Sequence, residues 1–140
     1  MRLRKAELRG RVNGDLELRF ERSGLTSYAG LELFREWLRR IGLRSRVRRI
    51  VGAAAPRSDY GVVSMVLLVL ALLISGGRRL RQLRYLDGDP AVLRFCGLKK
   101  LPAFRSVSRW LGQSSDGFVA SLKALNQELT HEQIERAGLR

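Results

Sequence analysis

Two arginines and two serines lie close together in the second half of the chain, in a pattern that suits contacts to DNA. Arg105, Ser106, Ser108 and Arg109 occupy four of five consecutive positions. Arginine can donate two hydrogen bonds to the O6 and N7 atoms of guanine, and a serine hydroxyl can reach a base or a phosphate. On a helix, Arg105, Ser108 and Arg109 lie opposite an apolar face. That face comprises Phe104, Val107 and Leu111.

Other basic residues are candidates for phosphate contacts, which fix the register of a protein on DNA. These residues are Lys99, Lys100, Arg44, Arg46, Arg48 and Arg49. Residues 43–57 carry five arginines and no acid, so little compensation within the chain is expected. A short amphipathic helix lying over a phosphate backbone is one interpretation. A solvated helix face whose arginine stems cover apolar surface is the other.

The elements that must position these residues are short helices with clear boundaries. Asp89 is suited to cap a helix that begins at Pro90, and Gly97 is suited to end it. A second helix is expected from Pro102 onward. Two short helices joined by a turn, the second with a basic outer face, resemble a DNA-binding helix-turn-helix. The turn is longer than usual in that motif, so a packed helical hairpin is the alternative.

The rest of the sequence predicts a mainly α fold, a small helical bundle with an N-terminal β-hairpin. Residues 1–22 alternate around Asn13-Gly14, and a three-residue loop would pair Val12 with Leu16. Residues 23–140 are expected to form the helical DNA-binding domain. Its predicted elements are a helix capped by Thr26 or Ser27, a core helix over 62–74, a small helix over 78–86, a helix around 118–129, and a last helix with a capping box at Thr130 and Gln133.

The composition indicates which kinds of partner and site this chain can have. Lys and Arg number 27 against 13 Asp and Glu, a formal charge of +14, which favours a polyanionic partner such as nucleic acid or an anionic membrane surface. Cys96 and His131 are the chain's one cysteine and one histidine, too few for a disulfide or a zinc site. The apolar run over 62–74 is shorter than a bilayer span, so we expect no membrane partner. We also expect no small-molecule ligand.

Four stretches stand out as motifs: Gly76-Gly77-Arg78-Arg79-Leu80, Leu86-Asp87-Gly88-Asp89-Pro90, Leu101-Pro102 with Ser108-Arg109-Trp110-Leu111, and the upstream stretch from Gly24 to Leu31. Together they resemble the N-terminal region of bacterial DDE transposases of the insertion-sequence-1380 family. The resemblance covers residues 24–112. It implies a domain that binds the terminal inverted repeats of a mobile element, with a homodimer as one way to pair two ends, at the nucleoid in the bacterial cytoplasm.

The resemblance also implies what this chain lacks. A full-length transposase of this type would use Mg²⁺ held by three carboxylates, and the first of these follows the helical region in an Asp-x-Asp-x-Thr-like strand. We therefore expect no catalytic residue, no cofactor and no enzymatic activity in this chain by itself. Non-specific nucleic-acid binding is the alternative function, and a small membrane-associated basic protein is a weaker one.

Overall fold

The computed structural model describes residues 26–138 and, before them, only the backbone of residues 11–12 and 16–17. The latter form two short antiparallel strands, β1 (Arg11–Val12) and β2 (Leu16–Glu17), with Val12 opposite Leu16. The remainder of the hairpin predicted over 1–22 lies outside the described residues. Four paired residues are too few to establish the predicted hairpin, which is therefore not supported as part of the fold.

The described chain is mainly helical, as the sequence predicts. The α-helices are α1 (Gly30–Arg40), α2 (Leu43–Arg46), α3 (Val62–Ile74), α4 (Pro90–Cys96), α5 (Phe104–Gly112) and α6 (Asp116–Arg136). A π-helical segment, Val47–Val51, continues α2, and a 3-10 helix, Leu80–Tyr85, lies between α3 and α4.

Helix α3 lies at the centre of the core, which confirms the prediction for residues 62–74. Met65, Leu68 and Ala71 are buried, and α4, the π-helical segment and the 3-10 helix pack against the helix. Its end has the predicted glycine cap. Gly76 takes a positive φ of 82°, and the N–H of Gly77 donates to the carbonyl of Leu72 at 2.8 Å. Within residues 26–138, no helix has the length and apolar content needed to cross a bilayer.

Helix α1 begins differently from the prediction. Its N-cap residue is Ala29, without a side-chain hydrogen bond, so the cap assigned to Thr26 or Ser27 is wrong. The Thr26 hydroxyl instead lies 2.7 and 2.8 Å from the two carboxylate oxygens of Asp89. This contact ties the start of the described domain to the cap of α4.

Helix α6 is one continuous helix through Arg136, so the capping box predicted at Thr130 and Gln133 is wrong. A capping box needs backbone N–H groups that have no helical partner, and in the interior of α6 they already have one. The helix is capped by Ser115, whose hydroxyl accepts from the N–H of Phe118 at 3.2 Å.

The two helices of the predicted helix-turn-helix have different neighbours. Helix α4 is capped as expected, since the Asp89 carboxylate accepts from the N–H of Ala91 at 2.9 Å and Gly97 ends the helix in the left-handed conformation. It packs against α1 and α3, whereas α5 packs against the 3-10 helix. Extensive packing of α4 against α5, which both the helix-turn-helix and the packed helical hairpin involve, is therefore not seen. Both stay predictions, and so does the role of α5 in meeting DNA.

Candidate nucleic-acid interface

Helix α5 is held to the domain by its inner face. Val107 and Trp110 are buried. The indole N–H of Trp110 donates to the Pro56 carbonyl at 2.9 Å, and its ring meets that of Phe118 edge to face, with centroids 5.4 Å apart. Trp110 is an anchor that the sequence prediction of the apolar face left out. The predicted Phe104 is instead 40% exposed.

The outer face of α5 carries the four residues that the sequence singled out. Arg105, Ser106, Ser108 and Arg109 are all exposed. Among the described residues, neither arginine has an ion-pair partner. The guanidinium of Arg105 lies 6.0 Å from the centre of the Phe104 ring, at the limit of a cation–π contact. These side chains are therefore available to an external partner without the loss of an internal ion pair.

A groove of about 630 Å³ runs along α5. It is formed by the linker that follows the π-helical segment, and Arg57 and Tyr60 line it together with Ser106, Arg109 and Gln113. Arg57 is exposed. Arg57 lies far from α5 in sequence, and the fold brings it to the same groove as Arg109. The groove makes Arg57 a further candidate for a phosphate contact.

Lys99 and Lys100 are exposed in the connection between α4 and α5. The same connection buries Leu101 and Pro102, which fixes its path. Lys100 lines a depression of about 260 Å³ at the start of α5. The predicted α5 residues and the lysine pair thus belong to neighbouring parts of the chain that the fold keeps exposed.

The arginine cluster over 44–49 is largely engaged within the protein. The Arg44 guanidinium donates to the Phe95 carbonyl at 2.9 Å. Arg46 pairs with both Glu128 and Glu132 of α6.

Arg49 pairs with Glu128 at 2.7 Å. The expectation of little compensation within the chain is therefore wrong, because the acids come from a helix about eighty positions away. Arg48 is exposed and has no ion pair within the described residues. Of this cluster, Arg48 alone keeps the exposure and lack of an ion pair that a phosphate contact favours.

The structure exposes a second group of arginines that the site prediction left out. They lie before and within the 3-10 helix, and none of them has an ion pair in the described part of the chain: Arg78, Arg79, Arg81 and Arg84. A signal for them was present in the sequence, since residues 78–84 hold four arginines and no acid.

Cys96, His131 and Asp89 are the other titratable residues that could suggest chemistry, and their contacts are those of structural residues. Burial raises the pKa of the Cys96 thiol to about 12, so this cysteine stays protonated and unreactive near neutral pH. His131 is exposed and lies 3.2 Å from Glu135 on the same helix. Asp89 serves as a helix cap, in agreement with the structural role expected for it. Within residues 26–138, no three metal-ligating side chains come together.

In comparisons with known proteins, no family model, no curated protein and no solved structure matches this chain. The resemblance to transposases therefore depends on the sequence motifs alone.

Proposed function

We propose that this chain is a DNA-binding domain that reads a duplex with the outer face of α5. The observation that carries the proposal is that all four residues singled out on this helix are exposed, while Val107 and Trp110 fix the helix from beneath. The resemblance to transposases of the insertion-sequence-1380 family extends the proposal to the target. By that resemblance, the duplex is the terminal inverted repeat of a mobile element.

The roles of the side chains follow from their chemistry. Arg105 and Arg109 can each donate two parallel hydrogen bonds to guanine in the major groove, which distinguishes this base from the others. Ser106 and Ser108 can bond to a base or to a phosphate. Lys99 and Lys100, both exposed in the connection before α5, supply positive charge for the phosphate backbone.

The absence of ion pairs on α5 within the described residues favours binding energetically. A guanidinium that already holds a carboxylate must give up that partner before it can bind a phosphate or a base. Arg105 and Arg109 have no such cost, in contrast to Arg46, which holds two glutamates. We therefore assign the primary contact to α5 and not to the 44–49 cluster.

The proposal assigns DNA binding to this chain and no catalytic step. Cleavage and strand transfer in this reaction class need metal-binding carboxylates, which the resemblance places in a later part of a transposase. Pairing two element ends would take two copies of the domain. The bacterial nucleoid is the location that follows from this role.

The test is selection of a preferred sequence from a pool of random DNA duplexes, followed by affinity measurements at fixed salt. Specific binding predicts an enriched sequence that binds about a thousandfold or more tighter than a scrambled duplex. Arg105→Ala or Arg109→Ala should each cost about 1–3 kcal/mol on the enriched duplex and much less on the scrambled one. Lys123→Ala is the charge-matched control, since Lys123 is exposed on α6, outside the proposed surface.

Non-specific nucleic-acid binding is the second candidate. It is favoured by the exposed arginines of residues 78–84, which extend the positive surface beyond a single helix. This function predicts equal affinity for all duplexes and a steep loss of affinity with salt. If the selection enriches no sequence and Arg105→Ala weakens all duplexes equally, the non-specific function replaces the specific one.

A further inference from the structure

The segment from Arg78 to Leu86 has two rows of side chains, each with a spacing of three residues. Leu83 and Leu86 are buried and Leu80 packs against the core. Residues spaced by three eclipse one another in a 3-10 helix, which has three residues per turn. The leucines therefore form an inner row, and Arg81 and Arg84 lie on an outer one, preceded by the exposed arginines Arg78 and Arg79. We call these four arginines the arginine row.

The backbone beneath the arginine row is held in place. The Gln82 side-chain oxygen accepts from the N–H groups of Arg78 and Arg79 at 2.7 and 2.8 Å. At the other end, the hydroxyl of Tyr28 donates to the Tyr85 carbonyl at 3.1 Å. These contacts fix the backbone that carries the arginines, so less backbone entropy is lost when they bind a partner.

The arginine row lines two adjoining depressions. One, of about 440 Å³, is lined by all four arginines and by Tyr85. The other is the depression of about 260 Å³ that contains Lys100 at the start of α5. Arg81 and Arg84 line both. Asp87 also lines the second depression, which meets α5 at Phe104. The depression thus brings Lys100 beside Arg81 and Arg84 at the start of α5.

The spacing of the arginines fits a nucleic-acid backbone. A 3-10 helix rises about 2 Å per residue, so Arg81 and Arg84 are separated by about 6 Å along its axis. One strand of a duplex carries a phosphate about every 3.4 Å along the axis, so phosphates two nucleotides apart are separated by about 7 Å along it. The guanidinium of Arg84 is also positioned by its neighbour, since it donates to the Tyr85 hydroxyl at 2.7 Å and lies 4.8 Å from the ring centre.

We propose that the arginine row is a second nucleic-acid contact, which binds the phosphates of a DNA strand that runs past the start of α5. The inference rests on the proposed function and adds to it a sequence-independent part of the footprint. In this arrangement α5 reads bases, and the arginine row supplies affinity and orientation. An anionic lipid surface is the competing partner, because Leu73 and Ile74 are exposed close before the row in sequence.

The test compares the wild-type chain with an Arg81→Ala/Arg84→Ala variant on the selected duplex and on its scrambled form. Two lost phosphate contacts should make the slope of log affinity against log salt less negative by about 1.8. Affinity for both duplexes should fall by about tenfold or more near 100 mM salt, with their ratio unchanged. A fall in the ratio of the affinity for the selected duplex to that for the scrambled duplex is expected only for the α5 variants.

Two further variants control for charge and folding. Lys123→Ala/Arg136→Ala removes the same charge from α6, and it should leave the salt slope unchanged. Arg81→Lys/Arg84→Lys keeps the charge and should retain most of the wild-type slope. Because Arg81 and Arg84 are exposed, the helical circular dichroism and the melting temperature of the variants at these two positions should match those of the wild type. The control also removes the ion pair between Arg136 and Glu132, so its melting temperature is compared separately.

The inference is overturned if Arg81→Ala/Arg84→Ala binds both duplexes with wild-type affinity and slope. It is also overturned if this variant keeps DNA binding but no longer floats with phosphatidylserine vesicles, which would make the row a lipid site. A wild-type chain that binds all duplexes equally, and more weakly after the double substitution, would refute sequence reading by α5 and retain the arginine row. A wild-type chain that binds no duplex refutes both proposals.

Discussion

Replacement of Trp110 is expected to have the largest effect of any substitution beneath α5. The side chain is 4% exposed, donates a hydrogen bond to Pro56 and packs edge to face on Phe118. Truncation of a buried tryptophan to alanine costs about 3–5 kcal/mol through lost burial and the cavity left behind. The free energy of unfolding of a native protein is only about 5–15 kcal/mol, so Trp110→Ala should lose a large part of it.

The hydrogen bond can be separated from the burial. Trp110→Phe keeps an aromatic ring but leaves the Pro56 carbonyl without the indole donor. This hydrogen bond is only partly buried, so its loss should cost about 0.5–1.5 kcal/mol, and the variant should lie between the wild type and Trp110→Ala. If the two variants are equally destabilised, the hydrogen bond, and not the burial of the ring, dominates.

Urea unfolding followed by far-ultraviolet circular dichroism measures these differences without using the fluorophore that the substitution removes. Trp37→Phe is the matched control, because Trp37 is 46% exposed and its replacement should change the free energy of unfolding by about 0.5 kcal/mol or less. The reasoning is refuted if Trp110→Ala costs less than about 1 kcal/mol, or no more than the control.

Two other substitutions test the packing of α4 and α1. Asp89→Ala removes the cap of α4 and the partner of the Thr26 hydroxyl, and it should cost about 0.5–2 kcal/mol in urea unfolding, whereas the exposed Asp87→Ala should be neutral. Hydrogen bonds from Arg39, together with Arg40, lower the pKa of Glu36 from 4.5 to about 2. Because the folded pKa is the lower one, Glu36 stabilises the fold above pH 4.5, and this contribution disappears between pH 4.5 and about 2. The difference in melting temperature between the wild type and Glu36→Gln should therefore shrink over that range, and a constant difference would contradict this explanation.

The boundaries of the central and capped helices could be predicted from local residues. The apolar run of α3, the Asp89 cap and the glycines after α3 and α4 each act within one or two turns of backbone. The spacing of leucines and arginines by three over 78–86 was visible too, and it matches the 3-10 helix observed there. The failures, the Thr26 or Ser27 cap and the break predicted in α6, are places where packing or continued helical hydrogen bonding outweighed a local signal.

The candidate site could be predicted only in part, because exposure depends on contacts between distant segments. Arg105 and Arg109 were placed correctly on the outer face of α5 by helical periodicity. Arg44 and Arg46 also lie in a short basic stretch with apolar neighbours. Yet Arg44 donates to the Phe95 carbonyl, and Arg46 pairs with two glutamates of α6. No pattern within residues 43–57 reveals those partners.

The sequence by itself determined a strongly basic, mainly helical domain with a buried α3 and an outward-facing Arg105 and Arg109, since charge, periodicity and capping are properties of neighbouring residues. Only the tertiary structure decided which arginines are neutralised. It brings Glu128 and Glu132 against the 44–49 cluster and leaves α5 and the arginine row without ion pairs among the described residues. The physical reason is that Coulomb attraction depends on distance in space, which the fold sets and the order of residues does not.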